Sequence, residues 1–190
     1  DVKPDIILCN KEENTKEMIS ELEHIAPVHI SDIYNLDDCF ELISMYGEIF
    51  NITRTTSTLV ANIKLQREAF QVQLQNKDRL KVAYFIWKNP WMVAASNNFI
   101  DVMIKEAGFI NVFEDETRYP EIDLNNSKLK DADFIFLSSE PFPFKEDHII
   151  EFQKEFPEKT IKIVDGELFS WYGSRLLQSY SYFQTLHDKT

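Results

Sequence analysis

Three short stretches carry most of the side chains that could do chemistry. They are Trp87-Lys88-Asn89-Pro90-Trp91-Met92, Ser138-Ser139-Glu140-Pro141-Phe142-Pro143-Phe144, and residues 165–175, which read Asp-Gly-Glu-Leu-Phe-Ser-Trp-Tyr-Gly-Ser-Arg. All three tryptophans of the chain, Trp87, Trp91 and Trp171, fall inside them. A single Phe in such a stretch ordinarily anchors a loop to the core. Large aromatics in three stretches, with Glu140, Glu167 and Arg175 among them, have instead the composition of an apolar concavity whose few polar groups orient a ligand. Flat rings suit a bulky, ring-containing ligand, and an arginine beside them can pair with a carboxylate, phosphate or amide oxygen.

Bond-breaking chemistry is harder to assemble. His24, His29, His148 and His187 sit on or beside expected core elements and helix faces, where a lone imidazole is usually structural. Ser138, Ser139 and Ser170 have no His nearby in sequence and no nucleophile-elbow pattern. His29-Ile30-Ser31-Asp32 offers two metal ligands where a closed site needs about four, and Asp37-Asp38 reads as acidic charge at a helix start. Only four glycines occur, Gly47, Gly108, Gly166 and Gly173. At that spacing neither G-x-G-x-x-G nor a Walker sequence can be written, so dinucleotide and P-loop enzymes drop out. The expectation is no catalysis and no protein-ligated metal.

Composition narrows the partners. The 190 residues include 20 Lys+Arg against 32 Asp+Glu, a formal charge of −12. Binding to nucleic acid needs a surplus of cations and is not expected. No apolar run approaches the roughly 18 to 20 residues that cross a bilayer as a helix. The two cysteines, Cys9 and Cys39, lack metal-ligand spacing and leave the redox compartment open.

The elements that must position these residues follow from periodicity. Asp5 to Cys9 and Pro27 to Ile30 read as strands around an amphipathic stretch marked by Met18, Ile19, Leu22 and Ile25, a β-α-β unit. From Leu36 the pattern stays helical for about forty residues, with a break or new N-cap at the hydroxyl-rich Thr53 to Thr58. Unbroken periodicity from Thr58 to Leu74 predicts one helix of at least about four turns. Beyond the polar Asn76 to Arg79, strands are expected at Lys81 to Trp87, Asp133 to Ser138 and Thr160 to Val164. Helices are expected at Phe99 to Ala107, stopped by Gly108, at His148 to Phe156, and from about Ser174 to Leu186. Strands alternating with helices imply mostly parallel sheets, in which ligands bind beyond the carboxyl ends of the strands. Each aromatic stretch follows such an end.

The fold class is therefore α/β: two α/β lobes with mostly parallel sheets bridged by a long helix. Residues 1–34 read as the remainder of an N-terminal lobe, 35–78 as the helical connector and 79–190 as the C-terminal lobe. A core strand so near Asp1 leads us to expect a further piece upstream, leaving the N-terminal lobe incomplete.

Several blocks then resemble a known family. Lys3 to Asn14 (KPDIILCNKEEN), Ala83 to Val93 (AYFIWKNPWMV), Arg118 to Ile122 (RYPEI), Asp133 to Phe144 (DFIFLSSEPFPF) and Val164 to Arg175 (VDGELFSWYGSR) occur in its order. Together they resemble the solute-binding proteins of ABC importers for cobalamin, haem and iron-siderophore chelates, the helical-backbone metal receptors. The resemblance spans essentially the whole chain. It implies a ligand held between the lobes, here by Trp87, Trp91, Tyr119, Glu140, Phe142, Trp171, Tyr172 and Arg175, with Tyr119 where cobalamin binders often place a Trp. It implies no intrinsic cofactor, the cargo being a cobalamin-like corrinoid, haem or another iron chelate whose metal its own chelator holds.

The resemblance also implies an importer permease as partner and a periplasmic or membrane-anchored extracytoplasmic address. Members usually carry a glutamate on each lobe for permease docking. The second should fall about six residues after Tyr119, where this chain has Asn125 and Asn126; Glu121 or Asp123 is the nearest substitute. A cytoplasmic corrinoid- or chelate-handling protein on the same fold is the alternative. The charge of −12 mildly favours a near-neutral ligand over a strongly anionic one.

Overall fold

A computed structural model describes residues 2–75 and 77–188. Asn76, expected in the polar segment closing the connector, lies outside the described residues, as do Asp1, Lys189 and Thr190.

The N-terminal elements are β1 (Ile7–Asn10), α1 (Lys16–Glu23) and β2 (Val28–Ser31). Thr15 caps α1 by accepting the Met18 N–H, and β1 pairs with β2 in parallel, Cys9 opposite Ile30. Two helices follow, α2 (Leu36–Ile49) and α3 (Thr53–Leu74). Asn35 and Asp38 close a reciprocal capping box at the start of α2, which fixes where that helix begins. The break falls at Phe50 to Ile52, just before the threonines, and Asn51 sits there at φ +54°. Ile52 contributes no side-chain cap. The hydroxyls turn back instead: Thr53 Oγ1 donates to the Gly47 carbonyl and Thr58 Oγ1 to that of Arg54.

At 22 residues α3 spans about 33 Å. It buries a narrow line, Thr56, Ile63 and Phe70, at a spacing of seven, and leaves Leu65 and Val72 exposed. Arg67 fixes it to the C-terminal lobe: Nε and Nη2 donate to the two oxygens of Glu106 at 2.7 and 2.6 Å.

The C-terminal lobe contains β3 (Lys81–Trp87), β4 (Met92–Val93), α4 (Phe99–Glu106), β5 (Ile110–Asn111), α5 (Lys128–Asp131), β6 (Phe134–Ser138), α6 (Glu146–Glu155), β7 (Thr160–Val164), α7 (Glu167–Ser170) and α8 (Leu176–Asp188). The sheet runs β4-β3-β6-β7. Parallel β5 shares an edge of β3 with antiparallel β4, taking Lys81 and Val82 while β4 takes Phe85 and Trp87. Gly108, at φ +85°, ends α4 in a conformation a Cβ would strain.

Both faces of this sheet are covered, so β3 is buried from Val82 to Ile86 without polar alternation. Val82, Tyr84 and Ile86 join Phe134 and Phe136 in a core with α2, α3, α4 and α8. Ala83 and Phe85 join Ile135 and Leu137 in a second core against Phe152 of α6. The core against α3 thus continues from the sheet into the connector, which makes the bridge rigid. Among the described residues, no helix is long and apolar enough to cross a membrane.

Candidate functional site

The carboxyl ends of β1, β3, β6 and β7 open onto one cleft between the lobes, a cavity of about 750 Å³. That lies within the usual range of small-molecule sites, about 300–1,000 Å³. Asn10, Glu12, Glu13 and Ile33 line it from the N-terminal lobe. From the C-terminal lobe come Ile86, Trp87 and Met92, then Phe99, Ile100 and Tyr119, then Glu140 and Pro141, and finally Ser170, Trp171 and Tyr172. Four of the aromatic side chains come from three segments: Trp87 from the end of β3, Tyr119 from the loop carrying Arg118, and Trp171 with Tyr172 from the segment after α7.

Trp87 is 38% and Trp171 53% exposed, large rings left in solvent at a cavity wall. Trp87 is braced edge-on by Phe142 at 5.8 Å, and Tyr172 by Phe99 at 5.8 Å. Tyr119 lies under the Arg118 guanidinium, 5.3 Å from its ring centroid. Burial pushes the Tyr119 hydroxyl up to about 12, so it stays a neutral donor.

Two contacts join the lobes around the cleft, and a third ties the C-terminal lobe to α2. Arg118 Nη1 and Nη2 donate to Glu12 Oε1 and Oε2 at 2.9 and 2.7 Å. The Ser31 and Tyr172 hydroxyls lie 3.2 Å apart, and the Gly173 N–H donates to Cys39 Sγ at 3.3 Å.

Glu140 is held in place. The Ser170 hydroxyl lies 2.9 Å from Glu140 Oε1 and 2.8 Å from the Gly166 carbonyl oxygen, one proton serving two acceptors. Gly166 permits this approach: a Cβ there would come within 2.4 Å of Ser138 Oγ and 2.6 Å of Glu140 Cγ.

Trp87, Tyr119, Glu140, Trp171 and Tyr172 thus meet at the cleft as expected from the sequence, whereas Trp91, Phe142 and Arg175 do not line it. The chain reverses between β3 and β4, and side chains alternate along β4. Met92 therefore faces the cleft, and Trp91 faces the second core, 5.0 Å from Phe152 and stacked at 6.4 Å on Phe144. Phe142 sits behind Trp87, between it and Phe144. Arg175 turns away to pair with Glu167.

Residues that the sequence reading passed over include Asn10, Glu12 and Glu13, which follow β1. The strand-end rule points to them as well, since they follow the carboxyl end of β1. Ile33, Met92, Phe99 and Ile100 carry no such signal. His29 and Asp32 do not converge: His29 packs edge-on to Tyr46 at 5.5 Å and Asp32 pairs with Lys11. Among the described residues, no group of three or more His, Cys, Asp or Glu side chains is placed to hold a metal ion.

The geometry agrees with solved structures of similar shape. A periplasmic heme-binding protein, RhuT from Roseiflexus sp. RS-1 in apo form, matches with a TM-score of 0.82 at 15% identity over 98% of this chain and 77% of its own. The periplasmic heme-binding protein HutB of Vibrio cholerae matches with a TM-score of 0.80 at 19% identity, over 98% and 77%. The periplasmic vitamin B12 binding protein BtuF of Vibrio cholerae matches with a TM-score of 0.76 at 16% identity, over 97% and 76%. At these identities the likeness establishes the fold. No curated protein is similar enough in sequence to match. The family model described as periplasmic binding protein matches residues 1–162, and with two α/β lobes, a helical bridge and a cleft between them, this chain belongs to that family.

Proposed function

We propose that the chain is an extracytoplasmic receptor that captures a metal chelate with a bulky ring or chelator in the cleft and delivers it to an ABC importer. The observation that carries this reading is the cavity of about 750 Å³ walled by Trp87, Tyr119, Trp171 and Tyr172. Planar aromatic walls offer stacking area with little rotamer entropy to lose, and polar groups at the rim fix orientation. Cobalamin-like corrinoids, haem and ferric siderophores all carry their own metal ligands, so a cleft of this kind needs to recognise only the organic surface. The haem- and B12-binding proteins of similar fold support the same ligand class. The rigid α3 supports small closure angles and presentation of a preformed lobe pair to a permease.

Tryptophan fluorescence tests the reading, because a coloured ring stacked near Trp87 and Trp171 quenches emission. Cobalamin, haemin and a ferric siderophore are titrated separately. Saturable quenching by one of them is expected, weakened by Trp87→Ala and Trp171→Ala by about 1 to 3 kcal/mol each. Absence of quenching by all three, or unchanged affinity in both variants, rejects it.

A further inference from the structure

The cleft is acidic as well as aromatic. Among the described residues lining it, the charged side chains are Glu12, Glu13 and Glu140, with no Lys, Arg or His. Two guanidinium groups on adjoining segments are already committed, Arg118 to Glu12 and Arg175 to Glu167. Glu140 cannot readily withdraw: Ser170 holds one of its oxygens, and its segment packs closely against Gly166.

A ligand carboxylate placed on such a wall loses its hydration and meets like charge at Glu13 and Glu140, while the nearest guanidinium, Arg118, is already paired with Glu12. A primary amide or ammonium group in the same place donates to waiting acceptors. Discrimination of this kind needs a repulsive element as well as an attractive one, and fixed carboxylates supply both. Resting on the reading of the cleft as a chelate site, we infer that it selects ligands by their rim, accepting uncharged or cationic donor-bearing rims and rejecting carboxylate-bearing ones, with Glu140 as the specificity-determining residue.

The test compares ligands that share a ring and differ only in the rim. One pair is iron(III) protoporphyrin with free propionates and the same ring with both propionates converted to primary amides. The other is cobalamin and its monocarboxylate produced by hydrolysis of one side-chain amide. Each is titrated by fluorescence into the full chain, and whichever ring binds supplies the comparison. The amide form is expected to bind about tenfold more tightly or better. Glu140→Gln keeps an oxygen acceptor for Ser170 and should shrink that ratio to about threefold or less. Glu12→Gln releases Arg118 and should tighten the carboxylate form alone.

Equal or tighter binding of the carboxylate form by the wild type overturns the inference and leaves the proposed function standing. So does a ratio unchanged in both variants. No binding by any of the four ligands overturns this inference, and the proposed function falls with it only if the ferric siderophore also fails to quench.

Discussion

Arg118 and Glu12, 106 positions apart, form a two-pronged ion pair that ties the two lobes together beside the cleft. Their side chains remain 43% and 34% exposed, so solvent screens the attraction and the pair contributes only about 0–1 kcal/mol to stability. Arg118→Ala should therefore lower the unfolding free energy by no more than about 1 kcal/mol, and the deficit should fade in about 1 M salt. Urea denaturation at low and high salt measures both. A larger, salt-independent loss would mean that the arginine matters through packing on Tyr119.

Helix α3 is fastened to the C-terminal lobe rather than left as a free linker. Its buried line of Thr56, Ile63 and Phe70 and the Arg67–Glu106 fork bind it along its length. Ligand binding should leave the small-angle scattering radius unchanged within error, and a marked compaction would contradict a rigid bridge. Leu65 is exposed, so Leu65→Pro removes no core contact, yet breaking the helix there should cost about 3 kcal/mol or more.

The sequence made the strands easier to read than the directions of their side chains. The ranges of β3 and β7 follow directly from their apolar runs, and α4 from the run Phe99 to Ala107 with its stop at Gly108. Strands β4 and β5 have two residues each, too few for any period to register. Without β4, the direction of Trp91 is not legible in the sequence. Trp87 and Trp91 look equivalent in Trp-Lys-Asn-Pro-Trp, yet Trp87 ends β3 at the cleft while Trp91, just before β4, packs among Phe85, Phe144 and Phe152. Arg175 was misplaced for a different reason: the pull of Glu167 depends on how α7 and α8 meet, a tertiary relationship that sequence spacing does not encode.

Gly166 offers a test of how the cleft is held. Its backbone angles suit any residue, φ −64° and ψ −35°, so a substitution there acts through space alone. Gly166→Ala would drive a Cβ into Ser138 Oγ and Glu140 Cγ and force the segment 138–140 to shift. We expect a loss of about 1–3 kcal/mol in stability and weaker ligand binding, read by thermal unfolding and titration. An unperturbed variant would show that the segment has slack.

Alkaline pH should destabilise the protein through its buried thiol and phenols. Burial pushes the Cys39 thiol from 9.0 up to about 11 and the Tyr119 hydroxyl from 10.0 up to about 12. Burial also raises Tyr84 and Tyr180 strongly. The unfolded chain loses these protons first, so their stabilising contribution is whole below about pH 9 and declines as pH rises through the folded values. Cys39 alone accounts for a decline of about 2 kcal/mol, by order of magnitude. Unfolding free energies at about pH 7, 9 and 10.5 should fall across the last interval, and the fall should be shallower in Cys39→Ala. An identical slope in that variant would remove the thiol from the account.

Trp91 and Trp171 make opposite predictions from the same residue type. Trp91 is packed among Phe85, Phe144 and Phe152, so Trp91→Ala opens a void between the sheet and α6 and should cost about 2–4 kcal/mol. Trp171 is more than half exposed at the cleft, so Trp171→Ala should change stability by about 0.5 kcal/mol or less. The binding effects should be reversed: Trp171→Ala weakens chelate capture, while Trp91→Ala, assayed well below its lowered melting temperature, leaves affinity nearly intact. Measuring unfolding and titration on both variants separates a wall of the cleft from a wedge in the core. If Trp171→Ala unfolds early and binds normally, the aromatic wall is structural and the ligand contacts lie elsewhere.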